Sequence, residues 1–149
     1  VSLETDGALP SLHRAIIASP EAWQPEPLKF KTPSEFVTSA LRTVDAVPRR
    51  ARAMAGSLML LGQPAYRPGS PAGWPDTAED WAGADALMKR IEWSDALAAR
   101  LGPIAEPMRL VATALGPALS EHSANTIRRA ETRRQGMTLA LMSPEFQRR

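Results

Sequence analysis

Apolar residues recur along most of this chain at intervals of three and four, the spacing that places them on one face of an α-helix. Leu9, Leu12, Ala15, Ile16 and Ile17 share such a face in a short helix that Ser19-Pro20 ends. Ser19, Pro20 and Glu21 suit the start of a further turn, with serine as N-cap and proline at the first helical position, and Trp23 is expected to be buried behind it. Residues 24–31, with Pro25 and Pro27, read as an extended connection. Thr32-Pro33-Ser34-Glu35 is the strongest local signal: threonine as N-cap, proline at N1 and glutamate at N3 make a capping box. The helix it starts carries Phe36, Val37, Ala40, Leu41 and Val44 on one face, and Val47-Pro48 is expected to stop it. Arg49, Arg50 and Arg52 then open a helix whose apolar residues Met54, Leu58, Met59 and Leu61 lead to Gly62 as C-cap.

Further on, Asp76 and Glu79 are spaced as a capping box, with Trp81 in the short helix it would start. From Ala84 the positions Leu87, Met88, Ile91, Leu97, Ala98 and Leu101 predict an amphipathic helix ended by Gly102-Pro103. Another helix is predicted over 104–115, before Gly116-Pro117. Ser120 or Ser123 would cap a polar helix over 124–134, with Gly136 as a break, and an apolar stretch over 137–142 runs into Ser143-Pro144-Glu145-Phe146. The pattern predicts an all-α fold: a bundle of six or seven helices in a single helical domain over 1–149. The helix from Thr32 and the helix from Ala84 are its expected central pair. Ile16 to Glu21 echo Leu139 to Glu145, an apolar turn followed by Ser-Pro-Glu, and two uses of one helix-to-helix cap account for this better than a duplicated unit.

The helical pattern fails over residues 61–81. Gly62 to Pro75 hold prolines at 64, 68, 71 and 75 and glycines at 62, 69 and 73, a density that neither a helix nor a central strand tolerates. A loop this long is uncommon in a compact fold and usually binds something, closes over something or links two parts. Tyr66, Trp74 and Trp81 speak against a linker, because disordered segments are poor in aromatics. An ordered Pro/Gly-rich loop is therefore expected.

Composition narrows the chemistry. There is no cysteine, which excludes disulfides and thiolate chemistry and leaves the redox compartment open. No apolar run approaches the roughly 20 residues that span a bilayer. The start, VSLETDGALP, lacks the basic and then apolar run of a signal peptide and does not begin with methionine, as a C-terminal fragment of a longer protein would look. The net charge is +2, with arginines at 128, 129, 133, 134, 148 and 149 against Glu131 and Glu145 near the end. That basic end could meet nucleic acid, but no aromatic is interleaved and Glu131 interrupts it, so a solvated face is the better reading. His13 and His122 stand apart, too few for a metal centre. Glu121-His122 beside serine lacks a nucleophile elbow, and Gly69-Ser-Pro-Ala-Gly73 has a proline where a phosphate loop needs N–H groups. No catalytic residue, cofactor or metal is assigned.

Four blocks in order, Lys31-Thr32-Pro33-Ser34-Glu35-Phe36-Val37 with Leu41-Arg42, Leu61-Gly62-Gln63-Pro64, Pro71-Ala72-Gly73-Trp74-Pro75 and Ser143-Pro144-Glu145-Phe146-Gln147, resemble the C-terminal part of the large bacterial proteins grouped as domain of unknown function 1800. The resemblance covers nearly the whole chain. It implies a mostly helical protein, often exported or periplasmic, often encoded beside a second exported protein, and it brings no activity with it. The chain departs from the family in carrying Ala82 and Gly83 near Trp81, where asparagine is usual, and Glu92-Trp93 in place of Asn-Phe. A ligand role for those amides is not expected here.

The candidate binding residues are Gln63, Tyr66, Trp74, Asp76, Trp81 and Arg90. Tyrosine and tryptophan present flat apolar area with a polar edge, suited to a sugar ring, a peptide or a proline-rich segment. The same aromatics could instead lock the loop to the helices, with Gln63 satisfying loop backbone groups. Arg90 could pair with Asp85 or Glu92 or meet an anionic ligand, and an ion pair that holds the loop in place is the expected role. Carboxylates at Asp76, Glu79, Asp80 and Asp85 read as helix N-terminal charge rather than an acid and base pair. The leading expectation is a non-catalytic helical module of an exported bacterial protein that serves assembly or partner binding through the loop 62–76. The alternative is part of an enzyme acting on carbohydrate or a cell-envelope polymer, with Asp76 and Gln63 in a cleft.

Overall fold

The computed structural model describes residue 4 and residues 6–23, 28–46, 51–101 and 106–149. The fold is all-α, with eight α-helices among these residues: α1 Leu9–Ala18, α2 Pro33–Thr43, α3 Ala51–Leu60, α4 Ala78–Trp81, α5 Ala84–Leu101, α6 Pro107–Leu115, α7 Glu121–Arg128 and α8 Arg133–Met142. Two 3-10 turns, Pro20–Trp23 and Gly116–Ala118, sit between helices. The extended connection through Pro25 and Pro27, the stop at Val47-Pro48, the first two arginines of the run at 49–52 and the Gly102-Pro103 break lie outside the described residues.

Local chemistry sets most of the helix ends. Thr32 and Glu35 form the expected capping box, the Thr32 N–H donating to Glu35 Oε2 at 2.8 Å and the Glu35 N–H to Thr32 Oγ1 at 3.4 Å. At the other end, α2 stops through Asp45, which takes a positive φ of 51°. The Asp45 and Ala46 N–H groups turn back onto the Arg42 and Leu41 carbonyls, so the helix is closed before residue 47 is reached. Helix α3 closes in the same way at Gly62, φ 87°, with the Gly62 and Gln63 N–H groups on the Met59 and Leu58 carbonyls. Glycine is favoured there because a Cβ penalises a left-handed residue.

Several expected ends move. Asp76 and Glu79 do not cap α4; Thr77 is the N-cap and its hydroxyl goes to Asp80 instead. The polar helix expected over 124–134 is two helices: Ser120 caps α7 from Glu121, and Thr132 caps α8 through the Gln135 N–H at 3.1 Å. Two hydroxyl caps twelve residues apart in sequence outcompete one continuous helix of poor periodicity. Gly136, far from breaking α8, lies buried inside it. A Cβ there would stand 3.2 Å from the Pro107 ring, so its absence lets α8 approach the start of α6.

The core gathers Phe36, Val37 and Ala40 of α2, Leu61, Ala98 of α5, Met137 and Leu141 of α8, and Phe146. Its longest helix contact is α5 along α8, tied at the surface by the Arg134 guanidinium on the Asp95 carboxylate. The central pair is therefore α5 and α8 rather than α2 and α5. Helix α2 reaches α5 through Phe36, whose ring meets Trp93 edge-on at 5.6 Å, and packs also on α3 and α6. Behind α8, a second apolar group of Val111, Ile127 and Ala140 joins α6, α7 and α8.

Trp23 is not buried as expected: it is 70% exposed, and its indole N–H donates to the Ile17 carbonyl at 2.6 Å. Helix α1 buries none of its residues, and its main neighbour is the 3-10 turn that follows it. An apolar stripe at helical spacing shows which residues share a face, but not that another element comes to cover it.

Candidate functional site

The segment before α2 and the end of the chain meet as a short antiparallel pair. The Lys29 and Arg149 backbones exchange hydrogen bonds at 3.1 and 2.9 Å, and the Lys31 N–H donates to the Gln147 carbonyl at 2.8 Å. Two cations are folded in behind this pairing. Arg90 of α5 is 1% exposed, between Phe30 and Phe36, whose ring centres lie 4.6 and 4.9 Å from its guanidinium carbon. Its Nη1 donates to Gln147 Oε1 and its Nη2 to the Lys31 carbonyl, both at 2.6 Å. Gln147 in turn donates through Nε2 to the Leu141 carbonyl at 2.7 Å, which satisfies one of the acceptors left open at the end of α8.

The expected ion pair of Arg90 with Asp85 or Glu92 does not form: Asp85 is taken by Lys89 one turn on, and Arg90 points inward instead. Burial lowers its pKa to about 10, which leaves it charged at neutral pH. Its charge is balanced by carbonyl dipoles and two aromatic faces rather than by a carboxylate.

Lys31 is the second cation. Its Nζ donates to the Phe146 carbonyl at 2.7 Å and lies 4.4 Å from the Phe146 ring centre. Burial pulls its pKa down to about 8, against the field of Glu35, which raises it. Partial burial of Glu35 would raise its own pKa, but hydrogen bonds from Thr32 and Arg149 outweigh that and hold it below the ordinary carboxylate value. Glu145 shows the same balance: burial opposes, and bonds from Ser120 and Ser123 at the start of α7 prevail.

The loop is fastened to this frame at both ends. Gln63 is buried, and its side-chain oxygen accepts from the Ser34 N–H at 2.7 Å, adding a cap from outside to the first turn of α2. At the far end, Trp81 is buried and its indole N–H donates to the Pro75 carbonyl at 2.9 Å. Trp74, half-buried, tilts against Trp81 with ring centres 6.2 Å apart, and Asp76 pairs with Lys29. Between these anchors Tyr66 is 100% exposed and sits at φ 58°, a left-handed conformation that costs a bulky residue on the order of 1–2 kcal/mol.

The six candidate residues thus divide. Gln63 and Arg90 lie in the frame, Trp74, Asp76 and Trp81 close the base of the loop, and Tyr66 stands at its outer turn. Arg90 is shut away from solvent whereas Asp76 faces it. Lys31, Phe30, Glu35, Gln147 and Arg149 were missed as partners of this arrangement. The signal was present in the blocks 31–37 and 143–147, but which side chains of one block touch the other is not written in either.

Among the described residues no three His, Cys, Asp or Glu side chains stand close enough to share a metal ion, and no helix is long and apolar enough to cross a membrane. Five of the arginines near the end are engaged: Arg134 with Asp95, Arg133 with Glu106, Arg128 with Asn125, Arg148 with the Leu28 carbonyl and Arg149 with Glu35.

No curated protein and no solved structure matches the chain. A family model described as Protein of unknown function (DUF1800) matches residues 2–148, which include all four blocks that meet around Arg90, Gln63 and Trp81. By that match over essentially its whole length, the chain belongs to the DUF1800 family.

Proposed function

We propose that this chain is a non-catalytic helical module of an exported protein, and that it binds a partner protein through the loop 62–76. One observation carries the reading: Tyr66 is wholly exposed in a left-handed conformation, on a loop fastened at both ends by buried Gln63 and Trp81. A bulky residue in that conformation is strained, and strain is retained where the surroundings enforce it, commonly at ligand clamps and switch regions. Holding the loop before binding also lowers the entropy lost on association. Trp74 adds a half-buried aromatic at the base, and tyrosine and tryptophan are the residues that most often dominate protein contacts.

The partner we favour is the second exported protein encoded nearby, as the family resemblance implies. The test is co-purification of that protein with this one, unchanged and carrying Tyr66→Ala or Trp74→Ala. Tyr66→Ala should release the partner and leave the melting temperature unchanged or slightly raised, since the side chain is fully solvated. Equal capture by the unchanged protein and both variants would remove the loop from the contact.

A further inference from the structure

An open cavity of about 360 Å³ lies between α2 and α6. Its walls divide by chemistry. Lys31 and Arg42 bring two positive charges, with the hydroxyls of Ser39, Thr43 and Thr113 close by. Leu110, Ala114, Leu115 and Phe146 supply an apolar side. No aspartate or glutamate lines it.

Both cations have donors to spare. Lys31, 8% exposed, has three N–H donors and uses one of them, on the Phe146 carbonyl. The carboxylate whose field reaches it, Glu35, is bound to Thr32 and Arg149. Arg42 is exposed at the rim, and its guanidinium has no hydrogen-bond or ion-pair partner among the described residues. A buried ammonium without a carboxylate partner is costly, and burial has already drawn its pKa down to about 8, so an incoming anion gains from both the charge and the unused N–H groups.

We propose that this cavity binds a small amphiphilic anion, its carboxylate or phosphate head between Lys31 and Arg42 and a short apolar body against Leu110, Leu115 and Phe146. This site is separate from the loop 62–76, and neither reading depends on the other. Pockets of this kind orient a largely apolar ligand by a few polar groups, and here the two cations fill that role, since the Thr43 and Thr113 hydroxyls already donate to the Ser39 and Arg109 carbonyls.

The test is titration of the protein with hexanoate, hexyl phosphate, hexanol and inorganic phosphate, followed by the methyl NMR signals of Leu110 and Leu115. At least one hexyl anion should give saturable shifts, with hexanol and inorganic phosphate at least several-fold weaker. Arg42→Gln, at an exposed position without structural contacts, should weaken binding by roughly tenfold, the scale of one lost charge-assisted hydrogen bond. Ala114→Phe, which fills the cavity from an exposed position of α6, should abolish it with the melting temperature retained. No saturation by either hexyl anion, hexanol binding as tightly as hexanoate, or indifference to Arg42→Gln would each overturn the assignment.

Discussion

Arg90 and Gln147, 57 positions apart, meet inside the protein through a 2.6 Å hydrogen bond that no solvent reaches. The glutamine is a relay: it accepts from the guanidinium and donates to the Leu141 carbonyl at the end of α8. One side chain thereby joins α5, α8 and the last residues of the chain. Removing either partner leaves the other buried without its bond. Gln147→Ala should destabilise the protein by about 2–3 kcal/mol, and Arg90→Ala, which also leaves a cavity between two aromatic rings, by about 3–5 kcal/mol. The double variant should cost clearly less than the sum, because the charge that Gln147 serves is already gone. Urea unfolding midpoints of the four proteins check this, and strict additivity would show that the two residues act independently.

Gln63 ties the loop to α2 at a single point, the Ser34 N–H. Gln63→Leu keeps the size and removes the acceptor, so it should cost about 1–2 kcal/mol, the range for losing a helix cap. Because that bond is also the loop's first anchor, amide exchange at 64–73 should quicken in the variant while exchange in α5 and α8 keeps its order. Unaltered loop protection would mean that Trp81 and the Asp76 pair hold the loop by themselves.

Lys31 makes stability depend on pH in the alkaline range. Its folded-state pKa of about 8 lies below the value of about 10.4 for an unfolded chain. Between the two the unfolded state binds more protons, so this group's contribution rises with pH and is complete above the unfolded value. Relative to Lys31→Met, the wild-type protein should gain on the order of 1–3 kcal/mol between pH 7 and pH 10.5. Denaturant titrations at closely spaced pH values give the difference, and a flat or falling curve would show that the ammonium is not penalised in the fold.

Where a helix end depends on a few neighbouring residues, the residues alone announced it. Thr32 to Glu35, Gly62 and Ser120 carry their caps within four positions of the turn they close. Ser19-Pro20 and Ser143-Pro144 both follow a helix with their serine in the same extended conformation. The loop 62–76 was legible for the same reason, since proline withholds an N–H and fixes φ wherever it stands. Trp23 and Arg90 were misjudged because burial is a relation between distant segments. An indole after an apolar turn stays exposed, tied only to the Ile17 carbonyl, and an arginine spaced like a surface ion pair turns inward between two phenylalanines.

Most of the helices, the caps at Thr32, Gly62 and Ser120, and the proline-rich loop were thus determined by the sequence by itself, through contacts a few residues long whose geometry the backbone enforces. Only the tertiary structure decided that residues 29–31 pair with 147–149, that α5 rather than α2 lies along α8, and that Lys31 and Arg42 share a cavity with the apolar side of α6. Those pairings join positions up to about 120 residues apart. They are selected by which buried charge finds a partner and which faces close without a gap, and no local preference encodes either.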